Sequence, residues 1–253
     1  MKDFITALQF LTRIQVCRQE IVSAAEFGRS VKYFPLVGAV IGLILAGWGF
    51  LAIGYLPLHV LAATLVILEL ILTGGLHGDG LMDTMDGVFS GRPVERSLEI
   101  MKDSRVGANG VMGFCSLLLL KWSLVLDILA SGWVVTAVAL FIMPVLGRLA
   151  IVIAVTCYPY ARPEGIGKAF AQFAGRSALY VALGLAILFT FPLGIAAIVS
   201  FVAAIGGTMI LCRYFAKRLG GLTGDVYGAI NEGIELIVLV ILLSKEWVLL
   251  WVI

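Results

Sequence analysis

Charge is what this sequence has least of. Only 13% of its 253 residues are Asp, Glu, Lys or Arg, where a soluble domain carries about a quarter. With 61% of residues hydrophobic and a mean hydropathy of +1.06, no soluble core of this length could hide the apolar surface. That excludes an ordinary water-soluble domain and makes the bilayer the expected solvent. Cysteine is scarce too: Cys17, Cys115, Cys157 and Cys212 lie far apart with no CxxC spacing, which argues against a disulfide framework or a zinc site. The net charge is only +2, so no nucleic-acid partner is implied. The N-terminus lacks a cleavable signal, because its apolar stretch is short, Arg13 interrupts it and no small-residue cleavage site follows. It is expected to lie as an interfacial helix on the cytoplasmic face or to pack on the bundle. Glycine, by contrast, is abundant at 29 residues, and together with 7 prolines this suits membrane helices.

A span needs about 20 apolar residues. Candidates fall at 34–55, 59–76, 109–128, 133–157, 178–191, 194–212 and 233–252. The fifth is short and the last is interrupted by Ser244-Lys245-Glu246, so six to seven spans are expected. The fold class is all-α: one polytopic transmembrane helical bundle over 1–253 with a cytoplasmic metal-binding loop helix. With the N-terminus inside, segments 1–33, 77–108, 158–177 and 213–232 carry 5, 4, 3 and 3 basic residues, 15 of the 18. Lys and Arg mark the cytoplasmic side. The N-terminal segment, an acidic loop (77–108) and a second motif (213–232) are therefore expected in the cytoplasm, and the protein in the cell inner membrane. Glu69 and Arg148 fall inside spans, where charge is expensive and functional by default.

The informative stretch is GGLHGDGLMDTMDGVFSGRPVERSLEIMKDSRVGANG, residues 74–110. Asp79, Asp83 and Asp86 are spaced i, i+4, i+7 and share an arc of about 60° on one helix face. Three carboxylates so placed repel one another unless a cation sits among them. Hard oxygen ligands without cysteine point to Mg²⁺ or Mn²⁺. His77 is near enough to act as a ligand or base, and Gly80 and Gly87 would let a phosphate approach the backbone. Lys102-Asp103-Ser104-Arg105 then adds cations beside the carboxylates, the pairing that neutralises phosphoryl groups.

The motif partly repeats. GGLHGDGLMDTMDG (74–87) aligns without gaps on GGLTGDVYGAINEG (220–233), with Asp79 over Asp225 and Asp86 over Glu232. Each copy follows a span that enters the cytoplasm. The expectation is that the copies supply two halves of one site, a shared- or two-metal centre of Asp79, Asp83, Asp86, Asp225 and Glu232. Glu235 lies one turn beyond.

These residues resemble the cobalamin synthase family. GGLHGDGLMDTMDG followed by LEIMKDSRVGANG carries the likeness, and FLTRIQV, FPLVGAVIG, Gly147-Arg148, YARPEGIG and GGLTGDVYGAINEGIE support it in family order along the whole chain. Gly78, Met82, Tyr227 and Gly233 depart from the family's usual residues without removing a carboxylate. The resemblance implies a membrane-bound, Mg²⁺-dependent enzyme in which a hydroxyl of α-ribazole, or of its 5′-phosphate, attacks the pyrophosphate of adenosylcobinamide-GDP and GMP leaves. On that footing Asp79, Asp83 and Asp86 hold Mg²⁺, and Asp225 and Glu232 complete the centre or bind a second ion. Lys102 and Arg105 neutralise phosphate oxygens. The proton acceptor is Asp103, Glu235 or His77. Arg13, Arg162, Arg148 and Asn231 are candidates for binding substrate. The expected partners are these small molecules, the lipid bilayer, and a second copy of the chain or a biosynthetic complex. Two rivals stand beside this reading: a membrane phosphotransferase of the CDP-alcohol type, and a transporter whose path runs past Glu69 and Arg148.

Overall fold

The structure, a computed structural model, describes residues 1–17 and 22–244. Its elements are helices, joined by isolated single-pair bridges rather than a sheet. Two short N-terminal helices, α1 (Lys2–Leu11) and α2 (Ala24–Ser30), fold back on the bundle. Ser23 caps α2 in a capping box with Glu26. Lys2–Glu26 at 2.6 Å and Lys32–Asp3 at 2.9 Å tie the pair together. Helix α3 (Phe34–Ala52) and α4 (Leu58–Thr73) follow, and then α5 (Leu76–Val88) leaves α4 at 90°. Gly74 and Gly75 make that corner at φ +65° and +73°, a left-handed backbone that a side chain would strain.

Next come α6 (Val94–Ile100), α7 (Ala108–Ala130), α8 (Trp133–Cys157), α9 (Ile166–Phe173), α10 (Arg176–Thr190), α11 (Ile195–Leu219) and α12 (Gly224–Leu242). Among the described residues five helical stretches are long and apolar enough to cross a bilayer, and six if the bent α4–α5 pair is one span. The N-terminal part of the last expected span is α12, which starts nine residues earlier than its apolar run and carries Asp225, Glu232 and Glu235. Residues 245–252 of that candidate lie outside the described residues. Segment 213–232 is therefore not a loop: it is the end of α11, a short turn and the first half of α12.

Helix α8 is the axis. It is apolar all round, as a helix enclosed by others must be, and almost every residue from Val135 to Val155 is buried. Small residues allow the neighbours to close on it. A Cβ on Gly42 of α3 would lie 2.5 Å from the Phe141 carbonyl, and one on Gly147 of α8 would lie 2.7 Å from Asn231 Oδ1 of α12. The outer faces of α3, α4, α7, α10 and α11 expose Leu43, Ile67, Leu119, Leu188 and Ile210, the surface that lipid would cover.

The polar connections collect at one end of this bundle. Arg13 N–H donates to the Leu72 carbonyl (2.7 Å) at the end of α4. The α8–α9 connection pairs with the α11–α12 turn through Ala161 N–H to Leu222 O and Leu222 N–H to Pro159 O, both 2.8 Å. Helix α5, bent 90° from α4, packs on α12 and α7.

Candidate active site

Helices α5 and α12 cross at two glycines. A Cβ on Gly80 would come within 2.7 Å of the Asp225 carbonyl, and one on Gly228 within 3.0 Å of the His77 carbonyl. The backbones touch because neither position has a side chain. That contact sets Asp79 and Asp83, in the first two turns of α5, beside Asp225 in the first turn of α12. Thr223 caps α12 through Val226 N–H (3.3 Å) and also donates to Asp225 Oδ2 (3.3 Å). Arg162, carried in by the α8–α9 connection, pairs with Asp225 Oδ2 at 2.8 Å.

The half-buried Asp83 carboxyl is pushed up to about 7, first by burial and then by the negative charges of Asp225 and Asp79, with Arg162 opposing. A carboxyl so placed lacks positive charge around it. Among the described residues no three His, Cys, Asp or Glu side chains form a ready-made metal centre. Asp79, Asp83 and Asp225 nonetheless offer hard oxygen donors in a site short of cations. Mg²⁺ is commonly held by only one or two carboxylates, with water and phosphate oxygens completing the octahedron. The donor set fits that ion and not a five-carboxylate cage.

Asp79 stands between two cavities. One, of about 250 Å³, is lined by Phe10, Phe34, Phe170, Tyr160 and Tyr227, with His77, Arg162 and Asp225 also on its wall. The other, of about 570 Å³, is bordered by Arg13, Thr12, Gln9, Gln15 and the Gly74–Gly75 corner. Arg13's guanidinium lies against Gly74. The first turn of α5 has no side-chain cap, so its free N–H groups add positive potential there.

The structure does not gather the remaining candidates here. Asp86 accepts from Gly107 N–H (2.7 Å) and Gly110 N–H (2.8 Å), and so caps α7 from a neighbouring helix. Asp103 and Arg105 pair with each other at 2.7 Å on the exposed turn before α7. Arg105's hydrogen bonds hold Asp103 down at about 2, too acidic for an effective base at neutral pH. Lys102 is exposed and, like Asp103 and Arg105, lines neither cavity.

Four others lie inside the bundle. Glu232 and Glu235 face Lys121 at 3.0 and 2.5 Å, and Glu69 approaches the same ammonium at 2.9 Å. Arg148, fully buried, pairs with Glu235, and Asn231 donates to Glu235 at 3.1 Å. These groups, three carboxylates and two cations, pair with one another in a low-dielectric interior, where an unpaired charge is costly. The expectations that Glu232 binds metal, that Glu235 takes a proton and that Arg148 and Asn231 hold substrate meet this arrangement instead: none of the four borders either cavity at Asp79. Lys121, inside the third candidate span, carries the same intramembrane-charge signal as Glu69 and Arg148 and is the group that the sequence expectations lack. Tyr160 and Tyr227 were not foreseen as site residues, since nothing in the local sequence turns them toward the aspartates.

Over residues 3–243 the chain matches the family described as cobalamin-5-phosphate synthase. It is 43% identical over 242 residues to the adenosylcobinamide-GDP ribazoletransferase of Desulfitobacterium hafniense (strain Y51), covering 94% of this chain and 95% of that one. A protein of the same name in Desulforamulus reducens is 43% identical over 249 residues, 95% and 96% of the two chains. Another in Clostridium acetobutylicum is 37% identical over 234 residues, 91% of each. No solved structure matches the chain.

Proposed function

The chain belongs to the cobalamin-5-phosphate synthase family, and on that premise we propose that it is the membrane transferase joining adenosylcobinamide-GDP to α-ribazole or its 5′-phosphate, with release of GMP. The observation that supports the reading is Asp79, which borders both cavities, with Asp225 and Arg162 on the wall of one and Asp83 within reach of the Asp79 and Asp225 charges. Two substrates can thus meet at one carboxylate cluster. The family's name specifies a product that keeps a 5-phosphate, so the attacking group is a different hydroxyl of the ribose. Its oxygen bonds to the phosphorus that bears the cobinamide. The bond from that phosphorus to the bridging oxygen breaks, GMP departs with it, and the hydroxyl proton is lost.

Mg²⁺ held by one or two of Asp79, Asp83 and Asp225, with water and phosphate oxygens, would neutralise the phosphate oxygens and the departing GMP. Arg162 orients phosphate oxygens from the aromatic side, and Arg13 with the uncapped start of α5 does so from the other. Of the three candidate bases only His77 borders a cavity, but burial, with the Arg148 and Lys121 cations, holds its imidazole down at about 3, so none of the three is assigned the proton. The basic residues at this end favour the cytoplasmic face of the inner membrane.

The test is direct. Protein purified in detergent is given adenosylcobinamide-GDP, α-ribazole and Mg²⁺, and GMP and the corrinoid product are followed by chromatography. Activity should vanish with EDTA and fall roughly 10³-fold in Asp83→Asn, about 1.4 kcal/mol of barrier per decade. A folded protein that forms no product would refute the substrate assignment.

A further inference from the structure

The smaller cavity beside Asp79 has an unusual wall. Phe10, Phe34 and Phe170 supply ring faces and edges, with the Phe170 centroid 5.1 Å from Phe10 and 5.7 Å from Phe34. Tyr160 and Tyr227 also line it, their ring centroids 6.5 Å apart. Tyr227 is 3% exposed, yet its hydroxyl has no hydrogen-bond partner among the described residues. A buried hydroxyl left unpaired costs free energy, so such a group calls for a missing partner. Gly165 and Gly167 hold the Tyr160 side in place, since a Cβ on either would meet the Tyr160 ring or hydroxyl at 2.9 and 2.6 Å. Charge is confined to the Arg162, Asp79 and Asp225 part of the wall.

We propose that this cavity is the acceptor pocket: it takes the planar, largely hydrocarbon heteroaromatic base of the nucleoside acceptor, with the Tyr227 hydroxyl donating to a ring nitrogen and the ribose turned toward Asp79. The inference rests on the proposed reaction and adds which substrate occupies which side of the aspartates. Guanine, the competing planar group, carries several donors and acceptors along its edge. To pair them it would have to turn that edge to Arg162, Asp79 and Asp225, the groups the reaction needs for phosphate, because the ring-lined part of the wall offers only the tyrosine hydroxyls. The larger cavity, bordered by Arg13 and the start of α5, is left for the pyrophosphate donor.

The experiment compares two acceptors on the full-length enzyme in detergent: a benzimidazole riboside, and the indole riboside that replaces the accepting ring nitrogen by CH. Wild type should prefer the benzimidazole by about tenfold in kcat/KM, the worth of one good hydrogen bond. Tyr227→Phe should remove that preference while leaving the KM for adenosylcobinamide-GDP within about twofold, an outcome that a merely structural tyrosine would not give. Phe170→Leu, which stays apolar but loses the ring, should raise the acceptor KM and not the donor KM. A Tyr227→Phe enzyme that keeps the full preference, or variants that raise the donor KM instead, would overturn the assignment. If wild type forms no GMP with either acceptor, the reaction fails, and equilibrium binding of the two ribosides then decides the pocket alone. Binding weakened by Tyr227→Phe for benzimidazole only would uphold it, and no binding would end it.

Discussion

Asp79, Asp83 and Asp86 share one face of α5, yet the third faces a different neighbour. Seven residues of helix rise about 10 Å, so Asp86 lies a full turn and more beyond the crossing with α12 and meets the start of α7 instead. The same length separates Asp225 from Glu232, and Glu232 ends beside Lys121. The two carboxylate pairs therefore part company in function. Asp83→Asn should lose turnover with little change in thermal midpoint. Asp86→Asn should lose about 1–3 kcal/mol of stability through the α7 cap, read as a lowered midpoint in detergent, with activity reduced far less than by Asp83→Asn at a temperature where the protein stays folded.

Among the elements, the crossing of α5 on α12 controls the site. It depends on Gly80 and Gly228, where a side chain would push against backbone rather than against a flexible tip. Gly80→Leu should part the helices and carry Asp79 and Asp83 from Asp225. A displacement of about 1 Å can cost on the order of 10²-fold in rate, and GMP release should fall by that order. Gly47, where a Cβ would meet nothing within 4 Å, is the control: Gly47→Ala on α3 should leave the rate unchanged. Equal losses in both variants would show that the crossing has no special role. The corner at Gly74 adds a second element-scale constraint. Gly74→Ala forces a side chain onto a left-handed backbone against Arg13, so it should destabilise by about 1 kcal/mol or more and raise the KM of the pyrophosphate donor.

Across the whole molecule, a charged core locks four helices. Glu69 of α4, Lys121 of α7, Arg148 of α8 and Glu232 with Glu235 of α12 meet in one place. Removing one member leaves its partners charged and buried. Lys121→Met should cost about 3–5 kcal/mol and show as loss of folded protein in a denaturant titration in detergent. Adding Glu232→Gln to Lys121→Met should restore part of it, because Glu232, whose ion pair is with Lys121 while Glu69 and Glu235 keep Arg148, is the charge left orphaned. An additive double variant would mean that the groups do not interact. The site sits where α12 emerges from this core, so its register against α5 is inherited from ion pairs well inside the bundle.

Composition alone determined the solvent, the helical class and the rough span positions, because a chain with this much apolar surface and this little charge has few ways to satisfy its backbone in lipid. The aspartate motif of 74–87 was equally legible, since face-sharing carboxylates need no tertiary information to imply a cation. Its repeat at 220–233 singled out Asp225, which the structure sets on the same cavity wall as Asp79. The fate of Asp86, Glu232, Glu235 and Arg148 was decided only by the tertiary structure. A helical repeat fixes the angle at which a side chain leaves its axis, but not which neighbour waits at that height, and height decided between binding a substrate and neutralising a buried lysine. The aromatic cavity was hidden for the same reason: Phe10, Phe34, Tyr160, Phe170 and Tyr227 come from five separate segments, and only the packed bundle brings their rings to one space beside the aspartates.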